Sequence, residues 1–190
     1  MVSQVTRVGA GAAGTTVSIR RATARDARRL TRLVRVSRAY EGPYAPMVAG
    51  YRVGPDYIET HRVFLAVATE GGGAGGAAET VRTEERLLGF YALVLDPPEL
   101  DLMFVADAAQ GLGIGRRLVE HMTDEARGAG LDAVRVVSHP PAEGFYRSVG
   151  ARRTGTVAAN PPAVMWDRPE LLISVPGGAD RTGRSGVPPQ

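Results

Sequence analysis

A short glycine-rich turn between two apolar segments limits the possible folds of this chain more than any other feature. The turn reads Gln110-Gly111-Leu112-Gly113-Ile114-Gly115. Residues 99–105 before it predict a strand, and residues 113–128 after it predict an amphipathic helix. Amides at a helix start lack intrahelical partners and lie at the positive end of the helix dipole. The turn therefore predicts an anion site, because glycine lets a bulky phosphate approach the backbone closely.

Two common phosphate-binding loops do not fit this turn. A P-loop needs Gly-Lys-Ser/Thr, and all 23 basic residues of the chain are arginine. The dinucleotide motif Gly-x-Gly-x-x-Gly fails in both registers, because Arg116 or Leu118 stands where its third glycine belongs. The remaining pattern, Gln-x-x-Gly-x-Gly, predicts a pyrophosphate site. The alternative is a flexible loop that only caps the helix.

Length and local composition predict how the chain is organised. We expect a single domain over residues 16–175, since 190 residues suit one domain. Residues 1–15 and 176–190 are predicted to be disordered, and residues 70–85 to form a flexible glycine-rich loop. No stretch reaches the roughly 18–20 apolar residues of a membrane helix, and the first residues lack a signal peptide's apolar run. We therefore expect a cytoplasmic protein that does not enter a membrane.

The titratable residues exclude several kinds of chemistry. The chain has no cysteine, so disulfides, thiolate nucleophiles and cysteine-bound zinc are excluded. The three histidines show no metal-ligand spacing, and we expect no metal. The net charge is +3, but the arginines form no block of five or more. This spread favours biased composition over a nucleic-acid-binding surface.

The order of strands and helices predicts a mixed α/β sheet. Three strands, at residues 62–68, 86–95 and 99–105, read as an antiparallel meander. Thr23 is a plausible N-cap for a helix that runs to Ala39, with Asp26 three residues on. Further strands are predicted at residues 17–21, 132–138, 151–157 and 169–175, and short helices at 55–61 and 141–149. The sum is a mostly antiparallel sheet of six to seven strands with about four helices.

These segments together resemble the GNAT superfamily of CoA-dependent acetyltransferases. The glycine turn is similar to the family's Arg/Gln-x-x-Gly-x-Gly/Ala signature. Pro140-Pro-Ala-Glu-Gly-Phe-Tyr-Arg-Ser-Val-Gly-Ala resembles its second motif. The likeness covers roughly residues 17–175 and implies the GNAT fold. Two residues depart from the family pattern: His139 stands where Asn is common, and Ala151 where Phe usually follows the glycine.

The resemblance implies a cosubstrate and a set of contacts to it. Acetyl-CoA is the implied acetyl donor, with no metal. A backbone N–H near Phe104 or Val105 is the implied oxyanion donor, freed by a bulge in the strand. The residues implied to bind acetyl-CoA are Phe104, Val105, Gln110, Gly111, Leu112, Gly113, Ile114, Gly115, Arg116, His139 and Phe145. Arg117 is an alternative to Arg116 for a phosphate contact.

The resemblance also implies direct attack of an amine on the thioester. Tyr146 is the implied acid, since a tyrosine pKa near ~10 allows donation to the leaving thiolate. Glu99 and Asp101 lie two apart on one strand and share a face, which makes either a candidate base. His61 and a water-mediated route are alternatives.

The acceptor is expected to bind after the first helix. Tyr40, Tyr44 and Tyr51 would wall a pocket in which Glu41 attracts the cation; the alternative is a loop that packs on itself. A small-molecule primary amine is the leading acceptor. The alternatives are an amine of a protein or aminoacyl-tRNA, or a non-catalytic acyl-CoA-binding module. A homodimer is compatible with the sequence, and Trp166 could contribute to a pocket mouth or to a dimer contact.

Overall fold

The structure, a computed structural model, describes residues 5–7, 15–70 and 85–177. Most of the segments predicted to be disordered or flexible lie outside these residues. Within the first of them, Val5–Arg7 forms a short strand, β1, antiparallel to the next strand of the chain. The predictions for the rest of residues 1–14, for 71–84 and for 178–190 remain predictions.

The described elements follow the predicted order closely. The longer strands are β2 (Thr15–Arg21), β3 (Arg62–Glu70), β4 (Glu85–Leu95), β5 (Pro98–Val105), β6 (Ala133–Val137), β7 (Arg152–Val157) and β8 (Arg168–Ser174). The helices are α1 (Ala27–Val36), α2 (Pro46–Ala49), α3 (Pro55–Thr60), α4 (Ile114–Gly128) and α5 (Glu143–Ser148). Seven longer strands and five helices confirm the predicted mixed α/β class.

The chain divides into two compact units, while the single domain predicted over residues 16–175 remains a prediction. The first unit holds residues 1–92 and 102–119, and the second holds residues 93–101 and 120–190. Neighbouring strands follow the order β1-β2-β3-β4-β5 in the first unit and β5-β6-β8-β7 in the second. The pairings of β2 with β3, β6 with β8 and β7 with β8 are antiparallel, whereas β5 and β6 are parallel.

The core of the first unit lies between α1 and the sheet. Leu30, Leu33 and Val34 share the inner face of α1, as their spacing of three and four residues requires. Their partners include Val63, Leu65 and Val67 on β3. Every residue of β3 from Val63 to Ala68 is buried, so both faces of this strand are covered.

An ion cluster fixes the start of α1. Arg20 on β2 donates two 3.0 Å hydrogen bonds to the carboxylate of Asp26 and a 2.7 Å bond to Glu85 on β4. Asp26 also accepts from the Thr23 amide at 2.9 Å, so Thr23 caps the 3-10 turn Ala24–Asp26 that leads into α1, whereas the N-cap of α1 itself is Asp26. Burial opposes ionisation of Asp26, but these hydrogen bonds outweigh it and lower the pKa of its carboxyl. The hydrogen bond from Arg20 likewise lowers the pKa of Glu85.

In the second unit, β6 and β8 alternate inward and outward residues. Val134 and Val136 on β6 are buried, as are Leu171 and Ile173 on β8. Arg135 on the half-exposed face of β6 binds Glu170 on β8 and Glu99 on β5. One guanidinium thus links three strands at the position where Glu99 pairs with Arg135 in the parallel ladder.

Candidate active site

The glycine turn is held at both ends and exposed between them. After β5, a single 3-10 turn covers Asp107–Ala109, and α4 begins at Ile114. Ala109 and Ile114 are buried, whereas the intervening residues are exposed, Leu112 with 65% of its surface. The two buried side chains anchor a loop whose middle lies in solvent. Residues 110–116 are called the cofactor loop below.

None of the six consecutive amides of residues 111–116 donates a hydrogen bond of good geometry to another group in the described structure. The neighbouring amides are bonded, since Gln110 donates to the Asp107 carbonyl at 3.3 Å and Arg117 donates to the Gly113 carbonyl at 3.1 Å. Unbonded amides at a helix start are the groups that bind phosphate in many proteins. The loop therefore fits the pyrophosphate site that its sequence predicts.

Two glycines give the cofactor loop its shape. Gly111 and Gly113 both have φ of +76°, in the left-handed region that side-chain-bearing residues rarely adopt. A Cβ atom built on either residue would meet no atom within 4 Å. Backbone conformation, not crowding inside the protein, therefore accounts for glycine here, and the open space lies beside the unbonded amides.

The two arginines after the loop differ in their surroundings. Arg116 is exposed, and no group in the described residues pairs with it. Arg117 donates from Nη2 to the Val17 carbonyl on β2 at 3.4 Å, and so ties α4 to the sheet. The geometry therefore favours Arg116 over Arg117 for a contact to a phosphate.

The strand before the loop approaches β4 very closely. A Cβ atom on Gly89 of β4 would lie 2.7 Å from the Phe104 carbonyl oxygen and 3.2 Å from the Val105 Cα. Only glycine fits this contact without movement of β5. Phe104 is buried and its ring stacks on Phe90 at 5.8 Å, so packing fixes the backbone that leads to the loop.

The two candidate bases lie on one face of β5, as their spacing requires. Leu100 and Leu102, which alternate with them along the strand, are buried. The Glu99 carboxylate accepts a 2.8 Å hydrogen bond from Arg135. Asp101 is exposed. The third candidate, His61, is half-buried and its ring packs edge-on against Tyr57 at 4.6 Å.

The candidate acceptor residues lie in a segment of short turns, residues 38–51, called the acceptor segment below. Tyr40, Tyr44 and Tyr51 are half-buried, and Tyr40 and Tyr51 pack against the core of the first unit. The exposed Glu41 forms an ion pair with Arg38 at 3.0 Å. The ring of Tyr40 also stacks on that of Phe104 at 5.6 Å. A residue proposed to bind the amine acceptor thus contacts β5, the strand that leads into the cofactor loop.

In the second unit, the candidates of the second motif lie on and before α5. Tyr146 is buried, with 7% of its surface exposed, and its ring meets that of half-buried Phe145 edge-on at 5.3 Å. His139, directly before this helical segment, is buried and lies edge-on to Trp166 at 6.4 Å. Trp166 therefore packs against a predicted cofactor residue within its own unit.

Sequence reasoning missed two residues that shape the site. Asp107 accepts hydrogen bonds from Gln110 and from the Arg38 amide, and Gly89 allows the close approach of β5. The signal for Asp107 was its position three residues before Gln110, the usual spacing of a side chain that bonds across a turn. Gly89 lies inside a predicted strand, and an isolated strand glycine often marks a close backbone approach.

Two wider features of the described residues bear on the chemistry. No group of three or more His, Asp or Glu side chains among them is arranged to hold a metal ion. None of their helices is both long and apolar enough to cross a membrane.

Comparison with known proteins identifies the family. Residues 58–160 match the family model of the acetyltransferase (GNAT) domain, and this stretch is more than half of the chain. The chain belongs to the GNAT acetyltransferase family, whose members use acetyl-CoA as the acetyl donor. It is an acyltransferase of the GNAT N-acetyltransferase type. No curated protein matches the sequence.

Solved structures with the same fold have low sequence identity to the chain. The GCN5-related N-acetyltransferase of Rhodopseudomonas palustris has 14% identity and a TM-score of 0.64, over 87% of this chain and 99% of that one. The ribosomal-protein-S18-alanine N-acetyltransferase of Escherichia coli has 17% identity and a TM-score of 0.55, over 84% and 94%. A chimera of the Vibrio cholerae spermidine N-acetyltransferase with hSSAT has 17% identity and a TM-score of 0.58, over 87% and 99%. These matches establish the GNAT fold that the sequence resemblance predicts.

Proposed function

We propose that the chain transfers the acetyl group of acetyl-CoA to a primary amine of a small molecule, by direct attack of the amine. The observation that carries the proposal is the run of six unbonded amides at residues 111–116. A diphosphate there would accept several of their hydrogen bonds at the positive end of α4. The exposed guanidinium of Arg116 supplies a balancing charge.

We propose three chemical roles for the reaction itself. Tyr146 protonates the leaving thiolate, and a backbone N–H of Phe104 or Val105 donates to the developing oxyanion. For the base we propose Glu99 or Asp101; a hydrogen bond from Arg135 positions the Glu99 carboxylate. His61 or a water molecule is the alternative base. In support of the oxyanion role, the buried ring of Phe104 stacks on Phe90 and so holds this part of β5 in place.

A small-molecule acceptor fits the character of the acceptor segment. Its three tyrosines are half-buried, and aromatic side chains with a few polar groups commonly line small-molecule pockets. Glu41 contributes a carboxylate there that would attract an ammonium group. The two alternatives, acetylation of a protein or aminoacyl-tRNA amine and an acyl-CoA-binding module without catalysis, make different predictions in one assay.

The deciding experiment is thiol release from acetyl-CoA across a panel of acceptors. The panel should contain polyamines, aminoglycosides, amino acids, peptides with free N-termini and aminoacyl-tRNA. We expect thiol release with a small amine. Release only with peptides or with aminoacyl-tRNA would show that the acceptor is a macromolecule and not a small molecule. Binding of acetyl-CoA without release for any acceptor would favour the non-catalytic module.

The role of Tyr146 is tested separately. Because only the hydroxyl is removed, Tyr146→Phe should lower kcat by about 10²–10⁴-fold while acetyl-CoA affinity changes little. Ser148→Ala, which removes an exposed hydroxyl from the same helix, is the matched control and should retain kcat. An unchanged kcat in Tyr146→Phe would remove Tyr146 from the mechanism.

A further inference from the structure

One carboxylate oxygen joins the cofactor loop to the acceptor segment. The Oδ1 atom of Asp107 accepts a hydrogen bond from Gln110 Nε2 at 3.2 Å and another from the backbone amide of Arg38 at 3.4 Å. A carboxylate oxygen has two acceptor positions, so both bonds can form together. Gln110 is further held by its own amide, which donates to the Asp107 carbonyl. The first residue of each segment is thus bonded to the same side chain.

A second contact joins the same two regions. The ring of Tyr40 stacks on Phe104 at 5.6 Å with 28° between the planes. Phe104 stacks in turn on the fully buried Phe90. The beginning of the acceptor segment is therefore docked at two points, on β5 and on the turn that leads into the cofactor loop.

We infer that Asp107 is a positioning residue that couples the order of the acceptor segment to the order of the cofactor loop. The inference rests on the proposed function. Gln110 begins the loop whose amides are proposed to bind the diphosphate, and Arg38 begins the segment proposed to bind the amine. An acceptor that orders residues 38–51 strengthens the bonds at Asp107 and so raises the affinity for acetyl-CoA. By linkage, acetyl-CoA raises the affinity for the amine by the same factor.

The negative charge of Asp107 and its proposed positioning role have opposite effects on acetyl-CoA affinity. A carboxylate three residues before the proposed anion site repels a diphosphate, so loss of its charge alone would tighten acetyl-CoA binding. If Asp107 instead acts by positioning Gln110 and Arg38, loss of its Oδ1 atom should weaken acetyl-CoA binding. Asp107→Asn keeps an oxygen that can accept both hydrogen bonds but removes the charge, so the two variants separate the two effects.

The experiment measures acetyl-CoA affinity by calorimetry and amide hydrogen exchange at Arg38. Asp107→Ala should bind acetyl-CoA about tenfold more weakly, which is about 1.4 kcal/mol and fits the loss of hydrogen bonds to a charged acceptor. Acetyl-CoA should slow exchange at the Arg38 amide of the unmodified chain, and this effect should be lost in Asp107→Ala. Asp107→Asn should bind at least as tightly as the unmodified chain. Glu59→Ala removes an exposed carboxylate from α3 and is the charge-matched control.

Each result supports or overturns the coupling. Unchanged or tighter binding by Asp107→Ala would overturn it while leaving the proposed function intact. Equal weakening by Asp107→Ala and Asp107→Asn would also overturn it, since the oxygen would then not matter. If the unmodified chain does not bind acetyl-CoA, the proposed function fails and the coupling fails with it.

Discussion

The substitution Gly113→Ala should affect the stability of the protein and its affinity for acetyl-CoA for two different reasons. Gly113 has φ of +76°, and a Cβ atom there meets nothing within 4 Å. The methyl group therefore causes no clash within the protein, and its only cost to folding is the left-handed backbone, about 1–2 kcal/mol. It does, however, project into the space beside the unbonded amides. Displacing a diphosphate from one such amide forfeits roughly 1.5–3 kcal/mol, so acetyl-CoA affinity should fall roughly tenfold to hundredfold.

Gly130→Ala is the matched control for this substitution. Gly130 follows α4, has φ of +78° and likewise has nothing within 4 Å of its Cβ position. Both variants should lose a similar free energy of unfolding in urea titrations, because the backbone strain is the same. Only Gly113→Ala should lose acetyl-CoA affinity in calorimetry. If both variants bind acetyl-CoA within twofold of the unmodified chain, the assignment of the loop is refuted.

Three further substitutions test other parts of the account. Asp26→Asn should lower the free energy of unfolding by about 1.5–3 kcal/mol at neutral pH. Because the folded-state pKa of Asp26 is lowered, its stabilisation is present above the unfolded pKa and is lost as the pH falls through the folded value. The difference between Asp26→Asn and the unmodified chain should therefore shrink in acid; a constant difference from neutral to acid pH would contradict this. Gly89→Ala should cost about 1–3 kcal/mol, because its methyl group would meet the Phe104 carbonyl at 2.7 Å; an unchanged urea midpoint would show that β5 moves without cost. Arg116→Ala should weaken acetyl-CoA binding about tenfold with little loss of stability, and equal affinity would remove Arg116 from the site.

The parts of the site that the sequence predicted are local in the chain. The cofactor loop depends on glycines two residues apart and on the helix that follows at once, so a short window carries the information. The same holds for the start of α1, where Thr23 and Asp26 lie three residues apart. The helix was predicted to reach Ala39 but ends at Val36, and short 3-10 turns follow.

The contacts that sequence reasoning missed join distant positions. The Arg38 amide and Asp107 are 69 residues apart, and Arg20 and Glu85 are 65 apart. Glu99 and Asp101 show the same limit, because their shared face follows from strand periodicity whereas the ion pair of Glu99 depends on Arg135, 36 residues later. The strand order, with β8 between β6 and β7, also follows from packing that no local pattern records.

The central claim is that the amides of residues 111–116 bind the diphosphate of acetyl-CoA. Its most direct test is an NMR titration of the ¹⁵N-labelled protein with acetyl-CoA, following the backbone amide signals of this segment. The account predicts large, saturable shifts at these amides, and smaller ones in Gly113→Ala at equal ligand concentration. Saturable binding with no shift between residues 111 and 116, or no binding at millimolar acetyl-CoA, would contradict it.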